Sequence, residues 1–159
     1  LREYQQARDY YQNALDIFIE SRDRYSCART YHQLGIVAQE LREYQQARDY
    51  YQNALDIFIE SRDRYSCART YHQLGIVAQE LREYQQARDY YQNALDIFIE
   101  SRDRYSCAST YLAMGTLAQA EENYTEARDN LQKALEIYVE YKDDYWGGVV
   151  REILEGLPE

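Results

Sequence analysis

The 28 residues LREYQQARDYYQNALDIFIESRDRYSCA occur three times without a change, beginning at Leu1, Leu41 and Leu81. A looser copy, EENYTEARDNLQKALEIYVEYKDDYWGG, begins at Glu121. A chain that repeats itself every 40 residues must build the same local unit at each interval. A unit of that size cannot bury an apolar face alone, so successive units have to stack and cover one another. The exact period therefore points to stacked copies of one supersecondary unit.

That unit is helical. In residues 24–63, Ala28, Tyr31, Leu34, Gly35 and Ala38 recur at i, i+3, i+4 spacing and form one apolar stripe, on a helix called A here. A polar bend, LREY, follows. Tyr44, Ala47, Tyr51, Ala54, Leu55 and Phe58 then form a second stripe, on helix B. Ala alternates there with bulky residues, as holes alternate with knobs. Gly35 costs about 1 kcal/mol against Ala in mid-helix, so its place predicts a neighbouring helix in close approach. ESRDRYS closes the unit, with Asp63 as the expected N-cap of the next helix A. Six Gly and a single Pro, Pro158, are too few turn formers for an all-β chain.

The register predicts eight helices: a lone helix B, three A/B pairs and a final A-like helix. The expected divisions are a half repeat at 1–23, repeats at 24–63, 64–103 and 104–143, and a C-terminal capping segment at 144–159. In the cap Gly147 and Gly148 stand where Cys-Ala stood, and Arg151, Glu152 and Glu155 give it a charged outer face. The chain starts at Leu1 with neither an initiator Met nor a signal-peptide pattern. A segment trimmed in mid-repeat from a longer cytoplasmic protein is expected.

These residues resemble the tetratricopeptide repeat, whose pattern is W-x2-L-G-x2-Y, then A-x3-F, then P. Here it reads Tyr31, Leu34, Gly35, Ala38, Ala47, Tyr51 and Ala54. The next copy reads Tyr71, Leu74, Gly75, Ala78, Ala87, Tyr91 and Ala94. The third reads Tyr111, Met114, Gly115, Ala118, Ala127, Leu131 and Ala134. Two departures belong together. Ile59, Ile99 and Val139 replace the Pro that ends helix B, and the period is 40 rather than about 34. Without the Pro, helix B can run on for another turn, with Ile57 and Phe58 to bury. The longer-helix variants of kinesin light chains and of large bacterial signalling proteins are similar. The resemblance implies an all-α, right-handed superhelical α-solenoid.

Composition narrows the function. The net charge is −10, and residues 121–159 alone hold four basic against eleven acidic residues. Phosphate binding needs clustered Lys and Arg, so neither nucleic acid nor an anionic membrane is an expected partner. Cys27, Cys67 and Cys107 lie one repeat apart. Stacked helices are about 8–10 Å apart and a disulfide needs Cα atoms within about 7 Å, so the thiols read as packing residues in a reducing compartment. Catalysis is not expected. Cys27 and His32 fall on different helix faces, and His32 and His72, about 10 Å apart, cannot share one zinc ion. No phosphate loop or nucleophile elbow is present, and no metal or other cofactor is expected.

In the family the helix A faces line a concave groove that holds an extended peptide or a partner helix. The resemblance places Arg29, His32, Gln33, Ile36 and Gln39 there, with Arg69, His72, Gln73, Ile76 and Gln79 one repeat on. Ser109, Leu112, Ala113, Thr116 and Gln119 follow in the third. Ile36 and Ile76 fall off the packing stripe and read as an exposed apolar ladder flanked by Arg, His and Gln, suited to a mixed apolar and acidic ligand. The Lys/Asn clamp with which some relatives grip a C-terminal carboxylate is incomplete: its places hold His32, Ile36 and Gln73, with Arg at Arg29 and Arg69 alone. Chaperone C-termini are therefore not expected ligands. A protein-interaction scaffold is the leading expectation. A self-assembling array or a ligand-free spacer, from a recent duplication or an engineered consensus, is the alternative. Ala7, Tyr11, Ala14, Leu15 and Phe18 on the first helix form an apolar face with no helix A before it, which predicts a weak homodimer.

Overall fold

The computed structural model describes residues 1–158. They form α1 (Arg2–Glu20), α2 (Arg24–Glu40), α3 (Tyr44–Glu60), α4 (Arg64–Glu80), α5 (Tyr84–Glu100), α6 (Arg104–Ala120), α7 (Tyr124–Glu140) and α8 (Asp144–Gly156). Each helix packs on its neighbours in the chain, most closely as the pairs α2/α3, α4/α5 and α6/α7. The result is an α-solenoid of antiparallel helix pairs. Helices α2, α4 and α6 take the role of helix A, and α3, α5 and α7 that of helix B.

Each of the six inner helices is 17 residues long, and three residues join one to the next. Two such helices and two such turns account for the period. The turn has one recurring geometry. After α3, Arg62 lies in the left-handed region at φ 56°. Its N–H donates to Ile59 O at 3.1 Å, and Asp63 N–H donates to Phe58 O at 3.0 Å. This satisfies two carbonyls at the helix end. Asp63 then begins the next helix: its Oδ1 accepts from Ser66 N–H at 3.0 Å and its Oδ2 from Ser66 Oγ–H at 2.7 Å. One residue thus ends one helix and caps the next, as the sequence led one to expect of Asp63. The left-handed position is filled at all seven turns by a charged residue (Arg22, Arg42, Arg62, Arg82, Arg102, Glu122 and Lys142) rather than glycine.

Helices A and B close on the glycine. A Cβ built on Gly35 would lie 2.5 Å from the Tyr51 ring, and one on Gly75 would lie 2.5 Å from Tyr91. Tyr51 is fully buried and its hydroxyl donates to Gln39 Oε1 at 3.0 Å. The lengthened end of helix B buries Ile57 and Phe58, whereas Ile59, in the place of the missing proline, is 53% exposed.

From each helix A to the N-cap of the next, Tyr25 donates to Asp63 at 2.6 Å, Tyr65 to Asp103 at 2.6 Å and Tyr105 to Asp143 at 2.7 Å. Burial works against the Asp63 carboxylate, but hydrogen bonds from Tyr25 and Ser66 outweigh it and hold its pKa below the usual value. The pairs Arg24–Glu60, Arg64–Glu100 and Arg104–Glu140, at 2.6–2.7 Å, tie each helix A to the B of its own repeat. They are well exposed and contribute little. Cys27, Cys67 and Cys107 are buried and unpaired, and burial pushes all three thiols up.

Helix α8 seats Gly147 and Val150 against the stack, with Arg151, Glu152 and Glu155 exposed as anticipated. The cap is not wholly polar, however. Tyr145 is 72% and Trp146 39% exposed.

Candidate interaction groove

Helices α2, α4 and α6 stand side by side and together present one continuous face. Arg29 and Arg69 are exposed. Gln33, Ile36, Gln39, Gln73, Ile76 and Gln79 are partly exposed, as are Ser109, Leu112, Ala113, Thr116 and Gln119. Two hollows lie among α2, α4, α6 and α8 on this face, and a third, about 270 Å³, lies between α1 and α2 and also takes in Arg29 and Gln33. The first, about 260 Å³, lies between α2 and α4 and is lined by Tyr25, Arg29, His32, Gln33, Ser66 and Arg69, over Phe58. The second, about 440 Å³, runs from α4 across α6 to α8. It gathers His72, Ile76, Gln79, Tyr91, Ser109, Leu112, Ala113 and Thr116, with one carboxylate, Glu80, at the Gln79 end. Ile36, Gln39, Gln73 and Gln119 lie on the same face outside both hollows.

The expected apolar ladder needs correcting. Ile36 and Ile76 are not free-standing; each is half-buried and packs against the core. Changing them to Asp would cost stability as well as any contact with a ligand.

The histidines are corrected too. His32 is 6% exposed, and His72 shows only its edge. Thr70 donates its hydroxyl proton to Ser66 O at 2.8 Å, so its oxygen accepts from His32 Nδ1–H at 3.1 Å. Thr110 and His72 repeat this at 2.9 and 3.1 Å. Nδ1 of each imidazole is committed to the next repeat, and in the neutral ring this leaves Nε2 as an acceptor. Desolvation, with Arg69 adding to it at His32, lowers both pKa values from 6.5 to about 4. In the third repeat the equivalent pair is Leu112 and Val150. Both polar residues of the pair are thus replaced by apolar ones.

Gln39 and Gln79 are half committed as well, since Tyr51 and Tyr91 donate to their carbonyl oxygens at 3.0 and 2.9 Å. Their amide N–H groups remain available.

The arginines divide sharply. In the helices from Arg8 to Arg104, six are ion-paired: Arg8–Glu43, Arg24–Glu60, Arg48–Glu83, Arg64–Glu100, Arg88 with Glu121 and Glu126, and Arg104–Glu140. Arg29 and Arg69, at the mouth of the first hollow, have no carboxylate partner among the described residues.

Sequence reasoning missed an aromatic wall. Tyr105, Tyr138 and Trp146 close the second hollow. Tyr138 stacks on Trp146 with ring centroids 6.3 Å apart, and Tyr105 meets Tyr138 edge-on at 5.6 Å. The signal was present: Trp146 is the one tryptophan, and it stands where every repeat has Ser.

Among the described residues no three His, Cys, Asp or Glu side chains gather as a metal site, and no helix is long and apolar enough to cross a membrane.

Antiparallel helix pairs stacked at a fixed interval, with one face built from the first helix of each pair, define a helical-repeat solenoid. The chain belongs to the tetratricopeptide repeat family, whose sequence profile matches residues 1–60 and 66–140. Its fold is similar to that of the apo form of RapI, with 25% identity and a TM-score of 0.89 over 98% of this chain. It is also similar to BtubC (BKLC) from P. vanneervenii, with 21% identity and a TM-score of 0.80 over 90% of this chain. A Rap protein complexed with Competence and Sporulation Factor superposes over 98% with a TM-score of 0.88 and 18% identity. The chain spans 56%, 59% and 43% of the lengths of these three. No curated protein matches it by sequence.

Proposed function

We propose that this chain is a non-catalytic protein-interaction scaffold that holds an extended peptide or partner helix across α2, α4 and α6. One observation carries the reading. Within α6 the third copy first departs from the exact repeat, and four of the changes, Ser109, Leu112, Ala113 and Thr116, line a single hollow on this face. Met114 and Leu117 are apolar exchanges on the packing side. Ala120, where the other repeats have Glu, lies outside the hollow, and the divergence continues through α7 and α8; within α6 the changes that line the hollow outnumber the rest by four to three, and the packing positions Gly115 and Ala118 are kept.

The test is selection from a random twelve-residue peptide library. Bound peptides should slow amide exchange in α2, α4 and α6 more than in α3 and α5. Ala113→Glu should weaken them at least tenfold, with its melting temperature measured beside it because Ala113 packs against the core. An affinity unchanged by Ala113→Glu, or protection confined to the B helices, defeats the reading.

The α1 face favours a second role. Leu15 is buried, but Ala7, Tyr11, Ala14 and Phe18 are partly exposed, and Tyr10 and Ile17 are 70% and 63% exposed. The matching face of α3 is covered by α2. A second copy of the chain, or a helix A preceding Leu1, would cover it equally well. In the chain as it stands, light scattering over a hundredfold concentration range should show a weak dimer that Tyr11→Glu with Phe18→Glu abolishes. A constant monomer mass rules this out.

A further inference from the structure

Of the arginines that form no ion pair among the described residues, Arg29 and Arg69 are the two that line one hollow together and can take an anion there, and the wall of Tyr105, Tyr138 and Trp146 can take an apolar group. The two sites share helix α4. Arg69 opens one hollow, and His72 and Ile76, three and seven residues further along the same face, enter the other. Seven residues rise about 10 Å, so the hollows are consecutive stretches of one groove. Its polarity turns over where the exact repeat ends. Arg at positions 29 and 69 becomes Ser109, His at 32 and 72 becomes Leu112, Gln at 33 and 73 becomes Ala113, and the Ser of each repeat becomes Trp146.

We infer that the groove is two-part: it takes a peptide whose carboxylate side chains sit between Arg29 and Arg69 and whose bulky apolar side chain enters the hollow of Leu112, Ala113 and Trp146. This rests on the scaffold reading and adds the ligand's chemistry to it. Guanidinium and carboxylate match as planar, charge-assisted pairs, and here the one carboxylate that feels Arg69, Asp63, is not ion-paired with it and accepts instead from Tyr25 and Ser66. Between the two sites the backbone of the ligand passes the Nε2 acceptor of the partly exposed His72 and the amide donors of Gln79. Those are the groups an extended peptide's N–H and C=O would meet. The two centres are about 15 Å apart, from helix spacings of about 8–10 Å. That distance is about five residues of extended chain.

The peptides selected from the random library settle this by composition and by response. Asp or Glu should be enriched about five residues from Leu, Phe or Trp. Arg29→Gln with Arg69→Gln should lower their affinity at least tenfold and flatten its salt dependence. Returning the other half to the repeat, by Ser109→Arg, Leu112→His, Ala113→Gln, Thr116→Ile and Val150→Thr, should remove the apolar preference and keep the acidic one. Its melting temperature checks that it still folds. Peptides that need Ala113 but show no acidic residue, or ignore the arginine changes, overturn the two-part ligand and leave the scaffold reading standing. Peptides indifferent to both sets of changes, or none selected at all, overturn both.

Discussion

At the scale of single residues, the glycines separate two kinds of helix surface. Gly75 has the Tyr91 ring where its Cβ would be, whereas a Cβ on Gly148 meets nothing within 4 Å. Both lie inside helices. Gly75→Ala should therefore destabilise by about 1–3 kcal/mol, because the ring cannot leave a packed interior. Gly148→Ala should stabilise by roughly 0.5–1 kcal/mol through helix propensity. Denaturant midpoints of the two variants would decide it; equal shifts would mean the A–B contact is looser than its geometry. Gly35 was legible from sequence because a glycine in mid-stripe is costly unless used. The turns were legible only as polar bends. Nothing in SRD or LRE announces a left-handed residue, since the usual glycine is replaced by Arg, Glu or Lys.

At the scale of the helix, the His–Thr contact decides how helix A meets the next helix A. The register alone cannot show it. His32 and Thr70 are 38 residues apart, and sequence patterning put His32 on the groove face because helical periodicity assigns direction, not depth. The pair also has a consequence for pH. In the unfolded chain each imidazole titrates near 6.5, and in the fold at about 4. Between those values the unfolded chain binds more protons, so stability is complete above pH 6.5 and falls as the pH drops toward 4. The loss should approach about 3 kcal/mol for each histidine. The Asp carboxylates, lowered from 3.8, act below this window. The chain supplies its own control in Leu112 and Val150. His72→Leu with Thr110→Val should fold and halve the pH dependence between 6.5 and 4. Thr110→Val alone strands the His72 Nδ1–H and should cost about 1–3 kcal/mol at pH 7. A double variant as pH-sensitive as the parent would show that acid unfolding runs through other groups.

At the scale of the whole molecule, stability and recognition are built from the same copies but divide differently among them. The stack is held by contacts between neighbours, so each exact repeat adds a similar increment. The proposed groove is not uniform in that way: its arginine hollow is built from two adjacent copies, and its aromatic hollow needs the single divergent one. Deletion of residues 41–80 separates these properties. It joins Glu40 to Leu81, a junction identical in sequence to Glu40–Leu41, so no turn or packing contact is new. Helix α2 then stands beside α6. His32, Ile36 and Gln39 take the places of His72, Ile76 and Gln79 in the apolar hollow, while Arg29 is left beside Ser109 with no second arginine. The shortened chain should remain helical and unfold cooperatively at a lower denaturant concentration, by the loss of one repeat and one interface. Peptides chosen for Leu, Phe or Trp should still bind it, and the part of their affinity that depends on Asp or Glu, and on low salt, should disappear. An acidic preference that survives the deletion would place the anion site outside the Arg29–Arg69 hollow; a chain that no longer folds would show that the three repeats act as one cooperative block rather than as a sum of neighbours.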